Sequence, residues 1–105
     1  MVAIVQVPPQ AKRGEVIQIG IAIQHPMETG FRYDDGGRAI AKNVIHDLVA
    51  RYNGVEIFRA TMGSGIAANP YLQFWTVAEA SGAIEFSWVD DTGQQGAARA
   101  SITVV

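Results

Sequence analysis

The stretch that decides the fold runs from Val16 to Ile23 and reads Val-Ile-Gln-Ile-Gly-Ile-Ala-Ile. Isoleucine occupies every second position, at Ile17, Ile19, Ile21 and Ile23, and the residues between are small or polar apart from the first. Because a β-strand turns alternate side chains to opposite faces of a sheet, this pattern predicts a strand with one buried face.

Similar alternation recurs along most of the chain, with turn signals between the runs and no convincing helix. The predicted strands cover residues 2–7, 17–24, 44–52, 55–61, 71–78, 84–88 and 98–104. About seven short strands predict an all-β fold, an antiparallel β-sandwich of the immunoglobulin or fibronectin III kind, here without the cysteine pair of antibody domains.

One of these strands, residues 44–52, is ambiguous by periodicity alone, because its apolar residues fit one face of a helix equally well. The residues that follow decide the matter. Asn53-Gly54 stands between two β-capable runs, and both residues tolerate the positive φ of a type I′ turn. The segment is therefore predicted to be the first strand of a hairpin.

Composition limits the classes of function. A chain of 105 residues with 49% hydrophobic and 17% charged residues suits one globular domain over residues 1–105. A net charge of -2 without a basic cluster argues against nucleic acid or a membrane surface as a partner. No apolar run approaches the length of a membrane span, and no leader follows Met1, which taken alone favours the cytoplasm. A subunit exported together with its partner would look the same.

Catalytic chemistry is not indicated. The chain has no cysteine, which removes disulfides, thiolate metal sites and thiol nucleophiles. His25 and His46 have no carboxylate at a ligand-like spacing, so no metal is predicted. The pairs at residues 34–35 and 90–91 are interpreted as turn formers, and Ser64 lacks the spacing of a hydrolase nucleophile. We expect no enzyme activity and no cofactor.

The long connection at residues 25–43 is the first candidate binding element, because it carries too much apolar surface for a solvated linker. Pro26 fixes the exit of the preceding strand and presents Met27 and Glu28 at its end. Met27 and Phe31 suit contact with another chain better than His25 suits proton transfer, since no partner orients the ring. The alternative is a rigid corner of the sandwich.

The second candidate element is Ala67-Ala68-Asn69-Pro70-Tyr71-Leu72, in which Pro70 restrains Asn69 and begins a strand that continues through Trp75. Aromatic residues on both sides of this strand allow one face, carrying Tyr71 and Trp75, to be an exposed adhesive surface. Burial of both faces beneath loops is an equal alternative.

Five motifs carry a resemblance to a known family: Gly14-Glu15-Val16, His25-Pro26-Met27-Glu28-Thr29-Gly30, Tyr52-Asn53-Gly54, Ala68-Asn69-Pro70-Tyr71-Leu72 and Phe86-Ser87-Trp88-Val89-Asp90-Asp91. In order and spacing they resemble the SoxZ family, the Z subunit of the sulfur-oxidation carrier, over nearly the whole chain. The second and fourth motifs together are specific to it.

The resemblance implies a noncatalytic subunit that pairs with SoxY, whose flexible Gly-Gly-Cys-Gly-Gly arm bears the sulfur intermediates of thiosulfate oxidation. It implies residence in the periplasm after export with that partner, and transient contact with other Sox enzymes. Without cysteine the heterodimer would be noncovalent, and the free subunit is a candidate for self-association. An accessory or adhesion-type sandwich module of an envelope assembly is the alternative function. The predicted partner-binding residues are His25, Pro26, Met27, Glu28, Phe31, Arg32, Asn69, Pro70, Tyr71 and Trp75.

Overall fold

Strands account for all the regular secondary structure in the computed structural model, which describes residues 2–105. The seven predicted strands are all present, and an eighth of only two residues joins them. In chain order the strands are β1 (Ala3–Gln6), β2 (Gln10–Ala11), β3 (Val16–Ile23), β4 (Ile45–Tyr52), β5 (Val55–Thr61), β6 (Tyr71–Val77), β7 (Gly82–Asp90) and β8 (Gln95–Val104).

Two sheets form a β-sandwich, which confirms the predicted fold class. The smaller sheet has the order β1-β3-β6, and both of its pairings are antiparallel. The larger sheet has the order β2-β8-β7-β4-β5 and is antiparallel except where the short β2 runs parallel to β8. Among the described residues no helix is long and apolar enough to span a membrane.

The core lies between the sheets and is built from the inward faces that period-two alternation predicts. The four alternating isoleucines of β3 are all buried. An aromatic cluster joins the two sheets, since Phe74 of β6 stacks on Phe58 of β5 at a centroid distance of 4.4 Å and meets Phe86 of β7 edge to face at 6.2 Å.

The β4–β5 hairpin has the predicted turn. Asn53 and Gly54 have φ values of 49° and 82°, as a type I′ turn requires, so residues 45–52 form a strand and not a helix. Asn53 also packs directly over Gly82 of β7, where any Cβ atom would overlap the Asn53 side-chain amide. Glycine is therefore required at that position as long as the turn keeps its side chain there.

The connection between β3 and β4 forms a narrow hairpin, here called the finger (residues 28–43). The backbones of Glu28 and Asn43 exchange two hydrogen bonds at its base, and Tyr33 pairs with Ala39 near its tip. The domain measures 57 × 19 × 18 Å, whereas its ten-residue strand β8 spans only about 33 Å. The finger therefore projects beyond the sandwich along the strand direction.

Candidate partner interface

The two motifs that are specific to the family meet in space and form one corner at the end of the smaller sheet. The backbone N–H of His25 donates to the side-chain oxygen of Asn69 at 3.1 Å, and the N–H of Asn69 donates to the carbonyl of His25 at 2.8 Å. Asn69 has a φ of 54°, a left-handed conformation that asparagine adopts more readily than most residues. Residues separated by 44 positions thus fix the point at which the chain leaves β3 for the finger.

Met27 completes this corner in an unusual conformation. Its φ of 48° is unfavourable for a side chain of this size, and its side chain is 4% exposed. The N–H of Met27 donates to Nδ1 of His25 at 2.9 Å, and its sulfur accepts the N–H of Ile45 at 3.4 Å. These contacts hold the backbone in place at the root of the finger.

The buried ring of His25 also has a carboxylate partner, so the expectation that nothing orients it was wrong. Nε2 of His25 lies 3.0 Å from Oδ2 of Asp90, and both side chains are almost fully buried. Since Nδ1 accepts the N–H of Met27, the ring hydrogen resides on Nε2 and is donated to Asp90. Both ring nitrogens are engaged within the protein.

Asp90 is held in its ionised form by the turn that it begins. Burial by itself would raise its pKa, but hydrogen bonds from the Thr92 hydroxyl, from His25 and from the N–H groups of Gln94 and Thr92 outweigh that effect. The result is a pKa of about 2 instead of the usual 3.8. The predicted turn role is confirmed for Asp90, because its Oδ1 accepts both N–H groups at 3.0 Å, but not for Asp91, whose carboxylate bonds residues outside the turn.

The second histidine pairs with the neighbouring carboxylate. His46 contacts Asp91, and Oδ2 of Asp91 accepts the N–H of Val44 at 3.0 Å. The bond from Val44, followed by the charges of His46 and Lys42, lowers the pKa of Asp91. Each histidine thus has one aspartate, yet within residues 2–105 no three histidine, cysteine, aspartate or glutamate side chains lie close enough to hold a metal ion.

The finger exposes two aromatic residues on one arm. Phe31 is 84% exposed and Tyr33 is 70% exposed. At its tip Oδ1 of Asp34 accepts the N–H groups of Gly36 and Arg38, each at 2.9 Å, which confirms the predicted turn role of residues 34–35. Large exposed aromatic side chains on a projecting hairpin are suited to contact with another molecule.

The outer face of the smaller sheet is the second exposed apolar surface. Trp75 is 62% exposed and Tyr71 is 47% exposed, whereas Phe74 between them on β6 points into the core. This arrangement settles the alternative left open by the sequence, because loops do not cover both faces of β6. The same face continues across β1 and β3, where Ile4 and Val16 are also exposed.

The predicted partner-binding residues divide into two groups according to exposure. His25, Met27 and Pro70 are buried, so their side chains build the corner and do not reach a partner's surface. Glu28 is partly exposed and is bonded to Nη1 of Arg32 at 2.8 Å along the finger. The exposed members are Pro26, Phe31, Arg32, Asn69, Tyr71 and Trp75.

Sequence reasoning missed Ile4 as an exposed apolar residue and Asp90 as the partner of His25. It counted Tyr33 in the apolar surface of the long connection but left it out of the partner-binding set. Tyr33 stands two positions from Phe31 and just before Asp34, so alternation into a turn was available as a hairpin signal. No comparable local signal exists for Asp90, which lies 65 positions from His25.

Comparison with known proteins assigns the chain to a family. A family model described as sulphur oxidation protein SoxZ matches residues 5–101. No curated protein matches the sequence. Among solved structures, a superoxide reductase (neelaredoxin) from Ignicoccus hospitalis has a TM-score of 0.75 at 18% identity, over 100% of this chain and 81% of that one. The sulfur carrier protein SoxY from Chlorobium limicola f thiosulfatophilum has a TM-score of 0.65 at 9% identity, over 98% and 78%.

At these identities the structural neighbours share the fold, and their functions do not transfer with it. The family match covers nearly all of the chain and includes all five motifs, from Gly14-Glu15-Val16 to the Asp90-Asp91 turn. The chain therefore belongs to the SoxZ family.

Proposed function

We propose that this chain is the noncatalytic subunit of a periplasmic sulfur-carrier complex of the SoxYZ type. It pairs with a SoxY-type subunit and supports the cysteine-bearing arm of that partner during thiosulfate oxidation. The observation that carries the proposal is membership of the SoxZ family over residues 5–101. Other Sox enzymes then meet the assembled pair transiently.

A binding role agrees with the chemistry of the side chains. Both nitrogens of the His25 ring are taken up by Met27 and Asp90, which leaves no ring atom free to accept a proton from a substrate. The chain has no cysteine and so cannot form a covalent sulfur adduct on a thiol. The sulfur chemistry is accordingly assigned to the partner's arm.

A chain without cysteine is also well suited to bind a partner that carries a mobile thiol. A second thiol within reach could capture the arm as a disulfide, which would remove the carrier from its cycle. A cysteine-free partner avoids that reaction, and the pair is then held by noncovalent burial of apolar surface.

The experiment is reconstitution with a SoxY-type subunit. We expect the two chains to elute together as a one-to-one complex on gel filtration and to separate in denaturant without reductant. After turnover with thiosulfate and the Sox enzymes, intact-mass analysis should find every sulfur adduct on the partner and none on this chain. Failure to form a complex, or an adduct on this chain, would refute the proposal.

The periplasmic location is tested separately by fractionation. Expressed together with a SoxY-type subunit that carries a leader, this chain should appear in the periplasmic fraction. Under the proposed shared export, omitting that partner should lower the amount of this chain in the periplasmic fraction. Equal distribution in both cases would contradict export as a pair.

A further inference from the structure

The outer faces of the two sheets differ sharply in charge. On the larger sheet, one row of paired positions runs Glu56, Arg51, Glu85, Arg99 across β5, β4, β7 and β8. Opposite charges in facing positions of adjacent strands are typical of a surface exposed to water. The outer face of the larger sheet is therefore expected to be in contact with water.

Within the described strands, the smaller sheet has no charged residue on its outer face. The alternating positions of its three strands that point away from the core contain only apolar residues, glutamines, a glycine and two large aromatic residues. They are Ile4 and Gln6 of β1, Val16, Gln18, Gly20 and Ala22 of β3, and Tyr71, Gln73, Trp75 and Val77 of β6. We call this set the neutral face. Depletion of charge together with exposed tyrosine and tryptophan is the composition of an interface centre.

Tyr71 of the neutral face is held in one position by its neighbours. The Tyr71 ring lies across Gly20, where a Cβ atom, if present, would be 2.6 Å from the hydroxyl oxygen. That hydroxyl donates to Oε1 of Gln6 at 3.0 Å and accepts from Nε2 of Gln73 at 2.9 Å. An aromatic ring fixed in this way loses little conformational freedom on binding.

We propose that the neutral face is the docking surface for the SoxY-type subunit, an inference that rests on the proposed function. A face without charge is desolvated at low cost only against another neutral surface, because a charged partner surface would lose its hydration without gaining ion pairs. The solved SoxY has the same sandwich fold and so has sheet faces of its own to offer. The complex is then two sandwiches packed through sheets, with Trp75 near the centre of the contact.

Trp75→Glu tests the proposal, because it places an unpaired charge at the predicted centre. The matched control is Val55→Glu, which puts the same charge at an exposed apolar residue of the larger sheet, outside the neutral face. Both side chains are solvent-exposed in the free subunit, so both variants should fold. By isothermal titration with the SoxY-type subunit we expect Trp75→Glu to bind at least about 30-fold more weakly than wild type. Val55→Glu should change affinity by less than about 5-fold. Phe31→Glu is included as a test of the finger as the alternative interface.

Gly20→Ala provides a second, milder test of the same surface. Its Cβ atom forces the Tyr71 hydroxyl away from Gln6 and Gln73, and the displaced ring then stands above the sheet. The fold should tolerate this change because only the end of one exposed side chain moves. We expect weaker binding of the partner with the melting temperature of the free subunit unchanged.

The possible outcomes distinguish failure of the proposed docking surface from failure of the proposed function. Wild-type binding together with a Trp75→Glu effect that Val55→Glu lacks supports both. Wild-type binding that only Phe31→Glu impairs overturns the neutral face and makes the finger the interface. Self-association of the free chain that Trp75→Glu abolishes, without any SoxY-type complex, identifies a second copy as the occupant and overturns the proposed function as well.

Discussion

Replacing Asp90 by asparagine should remove the part of the free energy of unfolding that depends on ionisation of the Asp90 carboxyl group. Asparagine has nearly the same shape, and its side-chain oxygen can still accept the N–H groups of Thr92 and Gln94, but it cannot ionise. A pKa of about 2 in place of 3.8 is equivalent to about 2 kcal/mol of stabilisation by the ionised carboxylate.

The sign of the pH dependence follows from the direction of that shift. Because the folded-state pKa lies below the unfolded value, the contribution of Asp90 is complete above about pH 5 and is mostly lost by about pH 2. The difference in free energy of unfolding between wild type and Asp90→Asn should therefore have its full contribution from the ionised Asp90 at about pH 5. It should then shrink by about 2 kcal/mol as the pH falls to about 2.

Urea unfolding followed by tryptophan fluorescence provides the assay, since Trp88 on β7 is buried and will report loss of the core. Thr92→Val is a companion variant, because it deletes one donor to Asp90 and should raise the pKa of that carboxyl, which moves the loss of stability to higher pH. A difference between wild type and Asp90→Asn that stays the same from about pH 5 to about pH 2 would refute the reasoning.

Two further predictions concern the packing of the sheets and the corner. Gly96→Ala should destabilise the domain by about 1–3 kcal/mol, because the new Cβ atom would overlap the Trp88 ring. The control is Gly63→Ala, where no neighbouring atom lies within 4 Å of the new Cβ atom. Its stability in the same urea assay should stay within about 0.5 kcal/mol of wild type. Asn69→Gly should cost about 1 kcal/mol through loss of the bond to the His25 N–H, and Asn69→Ala about 1 kcal/mol more because alanine disfavours a φ of 54°. The reverse order of the two Asn69 variants in thermal melts would contradict this account.

The strands were predictable because their information is local. Alternation in residues 16–23 decides which side chains are buried, and Asn53-Gly54 sets the hairpin that resolves the ambiguity of residues 45–52. The two-residue β2 was not predicted, since so short a segment has no period and is defined only by its pairing with β8. The finger was expected as a loop because its hydrophobic residues alternate over too few positions to show a pattern.

The contact network of the corner could not be predicted, because it depends on residues that are distant in sequence. Asn69 and Asp90 reach His25 only after the two sheets have packed. The sequence did single out the two segments that form the corner, yet it assigned binding to His25 and Met27, whose side chains are buried. Residues of a family motif can therefore be required by the fold as well as by contact with a partner.

The absence of charge from the neutral face has a mechanical consequence. An uncharged contact can bind well but resists sliding and rotation poorly, since no ion pair favours one orientation over the others. A second contact outside the neutral face must therefore fix the angle at which the proposed partner binds. The finger leaves the domain at the same end of the sheet as Tyr71, so we expect the finger to provide that second contact. Shortening the tip of the finger should leave the affinity for the proposed partner largely intact. The arm of that partner should then lose its defined orientation.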